Sequence, residues 1–197
     1  MALWLVLSSE PAPVEPGEGG PSAGDTVPEF SARTLDGRPF SLADAVASHK
    51  AVVFVFFSVS CPYSNLFADH VRDLSGQYRD RGVLFVGVNS NRGETREDAA
   101  AYAREHAFPF PSLKDTGARV ADSLGAKVTP EAFLVDSRRR LRYKGQVRSK
   151  IGKPYLEEAL RAVLADRPVR TPRAPAFGCP IDRDRGPYES GGAVRQP

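Results

Sequence analysis

The stretch "AVVFVFFSVSCPYSN", Ala51 to Asn65, decides how this chain folds. Its first seven residues are apolar at every position, which is the pattern of a central strand buried on both faces. The run gives way to Ser58 and Ser60, and a cysteine follows at position 61. Pro62 suits the first position of a helix, where its missing N–H leaves nothing unpaired. Beyond it Leu66, Phe67, Val71, Leu74 and Tyr78 recur at helical spacing. The reading is a strand, then a helix, with a thiol at the junction. A free thiol has a pKa of about 8.5 and is mostly protonated at neutral pH. At a helix start, unpaired N–H groups and the helix dipole favour an anion, so a more acidic Cys61 is expected. The competing reading is a buried cysteine acting as a small hydrophobe.

Working outward, "GVLFVGVN", Gly82 to Asn89, reads as a second buried strand. "TREDAAAYAREHA" opens with Thr95 and has Asp98 three residues on, close to a capping box, so a helix is expected. "TGARVADSLG" gives a short helix stopped by Gly125. A strand from Glu131 to Asp136, a turn at Ser137 to Arg139 and a return strand from Leu141 to Tyr143 come next. The last helix starts at Pro154, with Leu156, Ala159, Leu160, Val163 and Leu164 on one face. Upstream of the first strand, Val27, Phe30 and Leu35 precede Asp36-Gly37, and Phe40 and Leu42 follow it, a hairpin-like start. The order is hairpin, βαβα, short helix, ββα. It predicts an α/β fold with a mixed sheet covered by helices on both faces. In such sheets the reactive group lies at the carboxyl end of a central strand, which is where Cys61 falls.

The ends read differently. Residues 1–24 are expected to be a flexible leader, since 8–24 are rich in Pro, Gly and Glu. Residues 25–166 form the expected domain. Residues 167–197 read as an irregular Pro- and Arg-rich tail that carries Cys179 within "AFGCPI". A chain of 197 residues, 41% apolar and with a net charge of +3, suits one globular domain with tails. The densest basic cluster, "SRRRLRYKGQVRSK", alternates with apolar residues like a strand pair with one wet face. No recognition motif accompanies it, so no nucleic-acid partner is expected. Two cysteines exclude a disulfide-dense scaffold and a four-cysteine zinc site within one chain. No metal or other cofactor is expected. The apolar run Ala2 to Leu7 is short for a signal peptide and lacks a positive leader. No run reaches the roughly 18 apolar residues of a membrane span. A cytoplasmic location is expected, and an extracytoplasmic one if the start is a truncated signal sequence.

Taken in order, "GDTVPEF", "TLDG", "FFSVSCPYSN", "GVLFVGVNSN", "FPFPSLKD" and "TPEAFLVD" resemble the thioredoxin-like superfamily. The similarity is to its redoxin branch of peroxiredoxin-like and membrane-tethered thiol-disulfide oxidoreductases, over roughly residues 24–166. The resemblance implies a thioredoxin-like fold, with Cys61 as the exposed attacking cysteine and Pro130 as a cis-proline opposite it. Thr129 would then present its backbone to a bound substrate chain. It also shows what is missing. The second cysteine of a C-x-x-C motif is replaced by Ser64, and serine cannot resolve a mixed disulfide. Peroxiredoxins resemble P-x-x-x-T/S-x-x-C, with an arginine before a strand like "FLVD". Here Ser58 could stand for the hydroxyl position, but Phe54 stands at the proline and Pro130 at the arginine. "CPYS" is similar to the glutaredoxin "CPYC" with one thiol lost, which implies a monothiol route resolved by glutathione, a similar small thiol or Cys179. The late "GC-x-I" segment resembles that of a subset of bacterial redoxin-like proteins, which makes Cys179 a candidate resolving cysteine.

The candidate site is therefore Cys61 as nucleophile and Cys179 as candidate resolver. Pro62, Tyr63, Ser64, Thr129 and Pro130 line the substrate groove. The expected function is that of a thiol-dependent redox protein. It would act on protein or small-molecule disulfides and thiols, or on peroxide, with a thiol reductant. The alternatives are a thiol peroxidase, a non-catalytic binding module, and a sensor in which oxidised Cys61 pairs with Cys179. "NSNRGETRED", Asn89 to Asp98, reads either as a binding loop or as a polar turn with a helix cap. His70 reads as a partly packed residue rather than a base.

Overall fold

The computed structural model describes residues 20–149 and 152–183. The chain opens with two short antiparallel strands, β1 (Ser31–Arg33) and β2 (Pro39–Ser41), joined through Asp36-Gly37. Helix α1 (Leu42–Ser48) follows at once, its N-terminus capped by Ser41 Oγ, which accepts from Asp44 N at 3.0 Å. Then come β3 (Ala51–Phe56), α2 (Pro62–Arg79), β4 (Val83–Asn89) and α3 (Arg96–Glu105). Strand β5 (Ser112–Lys114) leads through a single 3₁₀ turn to α4 (Arg119–Leu124). The remaining elements are β6 (Val128–Thr129), β7 (Glu131–Asp136), β8 (Leu141–Gly145), α5 (Tyr155–Leu164), β9 (Arg173–Ala174) and β10 (Cys179–Pro180).

The main sheet has six strands in the order β5-β4-β3-β7-β8-β9. Strands β3, β4 and β5 run parallel, β7 pairs antiparallel with both β3 and β8, and β9 joins β8 in parallel. Every residue of β3 is buried, and the two-residue period of a strand divides them between two cores. Val52, Phe54 and Phe56 face Leu42, Val46, Val120 and Leu124 of α1 and α4. Val53 and Val55 face Val71, Leu74, Leu156 and Leu160 of α2 and α5. The α/β layering expected from the sequence is the one observed.

Some elements escape periodicity. Helix α1 is not legible as a separate element, because Leu42 continues the apolar pattern of the hairpin. Strand β5 is three residues long and follows Pro109 and Pro111, too short to show an alternation. Leu66, placed on the apolar face of α2 by spacing, is 69% exposed. The buried face of α2 runs through Ser64, Ala68, Val71, Ser75 and Tyr78, and at 3.6 residues per turn position 66 lies on the far side.

The chain ends also differ from expectation. Of the expected leader, 1–19 lie outside the described residues. Residues 20–24 are bound to the sheet, with Gly24 N donating to Leu141 O at 2.7 Å and Lys144 Nζ to Pro21 O at 2.8 Å. Residues 167–183, read as irregular, return along the domain and supply β9 and β10. Gly145 (φ +143°) lets β9 dock, because a Cβ there would sit 1.9 Å from Ala174 O. Residues 184–197 lie outside the described region. Among the described residues, no helix is long and apolar enough to cross a membrane.

Candidate active site

The end of β3 delivers the chain into Ser58, Val59 and Ser60, a turn whose backbone N–H groups find no ladder partner. A carboxylate from the loop between β4 and α3 supplies one. Glu94 accepts from Ser58 Oγ at 2.6 Å, Val59 N at 3.0 Å, Ser60 N at 3.2 Å and Ser60 Oγ at 3.0 Å. Asn89, the last residue of β4, adds its Nδ2 at 2.5 Å. Lys114 Nζ in turn donates to Asn89 Oδ1 at 2.7 Å and Asn91 O at 2.6 Å. Burial alone would raise the Glu94 pKa, but these donors favour the carboxylate and hold it down at about 2. The loop Asn89–Asp98 thus braces the turn before Cys61, and Thr95 with Asp98 forms a complete capping box on α3.

Cys61 is the N-cap of α2, with Pro62 at the first helical position. Ser64 is buried, and its Oγ accepts from Ser58 N at 3.2 Å, fastening the first turn of α2 to the incoming strand. Facing Cys61 across the groove is the Thr129-Pro130 peptide, which is cis. Cys61 Sγ–H donates to Thr129 O at 3.0 Å.

Cys61 itself is 0% exposed. The exposed cysteine implied by the family resemblance is therefore corrected, and the reason is the C-terminal segment. Strand β10 pairs antiparallel with β6, setting Cys179 opposite Thr129 and Pro180 opposite Val128. Thr129 Oγ1 donates to Cys179 O at 3.4 Å and Ile181 N to Lys127 O at 3.0 Å. Gly178 (φ +157°) makes the approach possible, since a Cβ there would lie 2.0 Å from Thr129 O. Phe177 sets its ring edge-on to Tyr63 at 5.3 Å and to Phe67 at 6.2 Å. Beyond Ile181 the segment is pinned by Asp182 N to Asn91 Oδ1 at 2.8 Å and by an Arg183–Asp122 ion pair at 2.7 Å.

The two cysteines meet at Thr129, whose carbonyl accepts from Cys61 and which stands opposite Cys179 in the β6–β10 ladder, and each thiol shifts the other's ionisation. Burial pushes the Cys61 thiol up. The Cys179 thiol, the Thr129 side chain and the Ser64 and Cys179 N–H groups outweigh it, leaving a pKa of about 7. Cys179 moves the other way, to about 11, because its hydrogen bond to Cys61 holds the proton, with burial and the Cys61 charge adding to it. When the pair loses a proton, the charge therefore falls on Cys61 and the remaining proton stays on Cys179.

All seven residues predicted for the site, Cys61, Pro62, Tyr63, Ser64, Thr129, Pro130 and Cys179, meet in this one region. His70 stands apart, half-buried beside Glu157 at 3.8 Å. Glu94 and Asn89 are the residues that the sequence did not single out. Ser58, the candidate hydroxyl of a peroxidase motif, spends its Oγ–H on Glu94.

The sequence model of the Redoxin family matches residues 22–160, and the chain belongs to that family. A solved structure of a hypothetical protein from Sinorhizobium meliloti is 31% identical, superposes with a TM-score of 0.77, and is matched over 85% of this chain and 97% of that one. Among curated relatives, the thiol-disulfide oxidoreductase ResA of Halalkalibacterium halodurans is 26% identical over 114 residues, 58% of this chain and 62% of that protein. The chloroplastic peroxiredoxin Q of Sedum lineare is 28% identical over 120 residues, 57% of this chain and 62% of that protein. The chain thus spans somewhat under two thirds of each of these curated relatives. The fold is thioredoxin-like, with its central mixed sheet flanked by helices.

Proposed function

We propose that this chain is a thiol-disulfide oxidoreductase in which Cys61 attacks and Cys179 resolves. The observation that carries the reading is geometric: Cys61 caps the N-terminus of α2 and bonds to Thr129 O, while β10 sets Cys179 opposite that same Thr129, and the lower pKa falls on Cys61. The Cys61 thiolate attacks one sulfur of a substrate disulfide, and the other sulfur leaves as a thiolate with the bonding electrons. Cys61 is then held in a mixed disulfide and has lost its charge. The hydrogen bond and the charge that kept the proton on Cys179 both vanish, so Cys179 ionises more readily. It attacks Cys61 Sγ, closes a Cys61–Cys179 disulfide and expels the second substrate thiolate. Two electrons and two protons pass from the cysteine pair to the substrate. An external thiol reductant, a dithiol protein or a glutathione-class small thiol, resets the pair by the same exchange. Ser64 need not resolve anything in this scheme, which removes the objection raised by the lost C-x-x-C cysteine.

The peroxidase reading draws less support. The Ser58 hydroxyl is committed to Glu94, and Pro130 stands where an arginine would polarise a peroxide. The test is stoichiometry against an aryl disulfide that releases a coloured thiolate. The wild-type chain should release two thiolates in its fast phase and Cys179→Ser only one, retaining the adduct. Loss of the fast phase in Cys61→Ser completes the pattern. A fast phase that survives in Cys61→Ser, or a single release from the wild type, contradicts the assignment.

A further inference from the structure

We infer that the groove beside Thr129 reads extended protein segments of the pattern aromatic–glycine–cysteine, and that Phe177-Gly178-Cys179 occupies it at rest as an internal stand-in. The inference rests on the proposed thiol exchange and names its substrate class.

Three features of the docked segment define what the groove accepts. First, β10 is held by its backbone to β6, through Cys179 opposite Thr129 and Ile181 N on Lys127 O. Such bonds select an extended chain and no particular side chains. Second, the residue before the cysteine has no room for a side chain, because a Cβ at Gly178 would strike Thr129 O. Third, the residue two before the cysteine is read by an aromatic notch, where Phe177 meets the edges of Tyr63 and Phe67. That notch opens into a cleft of about 470 Å³ lined also by Leu66, His70 and Arg148. Leu66 is the only large apolar side chain exposed among the described residues. The cleft extends past Phe177, so a bulkier aromatic from a partner has space. A small disulfide such as oxidised glutathione carries no aromatic side chain to fill the notch.

For a substrate to enter, the stand-in must leave. Its removal also frees Cys179, which returns to resolve the mixed disulfide once the substrate strand lets go. The same segment therefore guards Cys61 and completes its reaction.

The experiment uses the full-length Cys179→Ser chain and synthetic peptides whose cysteine is joined through a disulfide to thionitrobenzoate. Cys61 thiolate attacks the peptide sulfur, a Cys61–peptide disulfide forms, and the coloured arylthiolate leaves with the electron pair. The parent peptide is Ala-Phe-Gly-Cys-Pro-Ile. It should react about tenfold faster than the versions with Ala for Phe or Val for Gly, the ratio expected for one aromatic contact or one steric block. Adding Phe177→Ala to the protein should speed every peptide while keeping their order. If cysteine thionitrobenzoate reacts readily but the peptides show no ranking, or a glutathione disulfide matches the parent peptide, this inference falls and the proposed thiol exchange stands. If Cys61 reacts with none of them, both fall.

Discussion

At the scale of single residues, the site depends on where a proton and a carboxylate are held. Cys61 was legible because its setting is local: an apolar run, a cysteine and a proline in sequence. Its burial was not, since the residues that cover it lie more than a hundred positions away. Glu94 was invisible for a similar reason. It is one carboxylate in a polar loop, and only folding brings it to the turn at Ser58–Ser60. Two outcomes are expected at this scale. The alkylation rate of Cys61 followed against pH should have its midpoint near 7 in the wild type. Replacing Cys179 with Ala removes the strongest helper of the thiolate, and the midpoint should rise by about one pH unit. For Glu94, the folded-state pKa of about 2 lies below its ordinary 4.5. A carboxylate depressed on folding stabilises the fold above its unfolded pKa, and that stability is lost as pH falls through the folded one. Acid titration should therefore show a loss between about pH 4.5 and 2 that is absent in Glu94→Gln. Glu94→Ala leaves the Val59 and Ser60 N–H groups unpaired and should cost about 2–3 kcal/mol in denaturant unfolding at neutral pH.

At the scale of elements, the long periodic pieces followed the sequence closely. Strand β7 runs from Glu131 to Asp136 and helix α2 begins at Pro62, both as read from pattern. The elements that matter most for access to the site did not. Strands β6 and β10 are two residues each, too short to show an alternation. What the sequence did hold was an apolar knot, "AFGCPI", in a polar tail, the mark of a segment that docks somewhere. Its register is set by Gly178. In Gly178→Val the new side chain collides with Thr129 O, and β10 should detach. Because β10 is not part of the six-stranded sheet, the melting temperature should barely move. Alkylation of Cys61 should accelerate by about an order of magnitude, since access no longer waits for a local opening.

At the scale of the whole molecule, the described residues form a Redoxin-family domain with a segment folded back onto Cys61. The helices and the sheet fix Cys61 against Thr129 and Pro130. The C-terminal segment crosses from β9 on the sheet edge to β10 beside Cys61, carrying the second cysteine. A bulky adduct on Cys61 should lift that segment alone: hydrogen exchange at the Ile181 amide, bonded to Lys127 O, should quicken, while β3 amides keep their protection.

The central claim is that the two cysteines act as one redox pair, and its most direct measurement is disulfide mapping. The reduced full-length chain is treated with one equivalent of a small disulfide, quenched in acid, digested without reductant and analysed by mass spectrometry. The expected product is a single peptide pair linked through Cys61 and Cys179, formed at a rate independent of protein concentration. A stable small-thiol adduct on Cys61 with Cys179 left reduced, or a link between two chains, would contradict it.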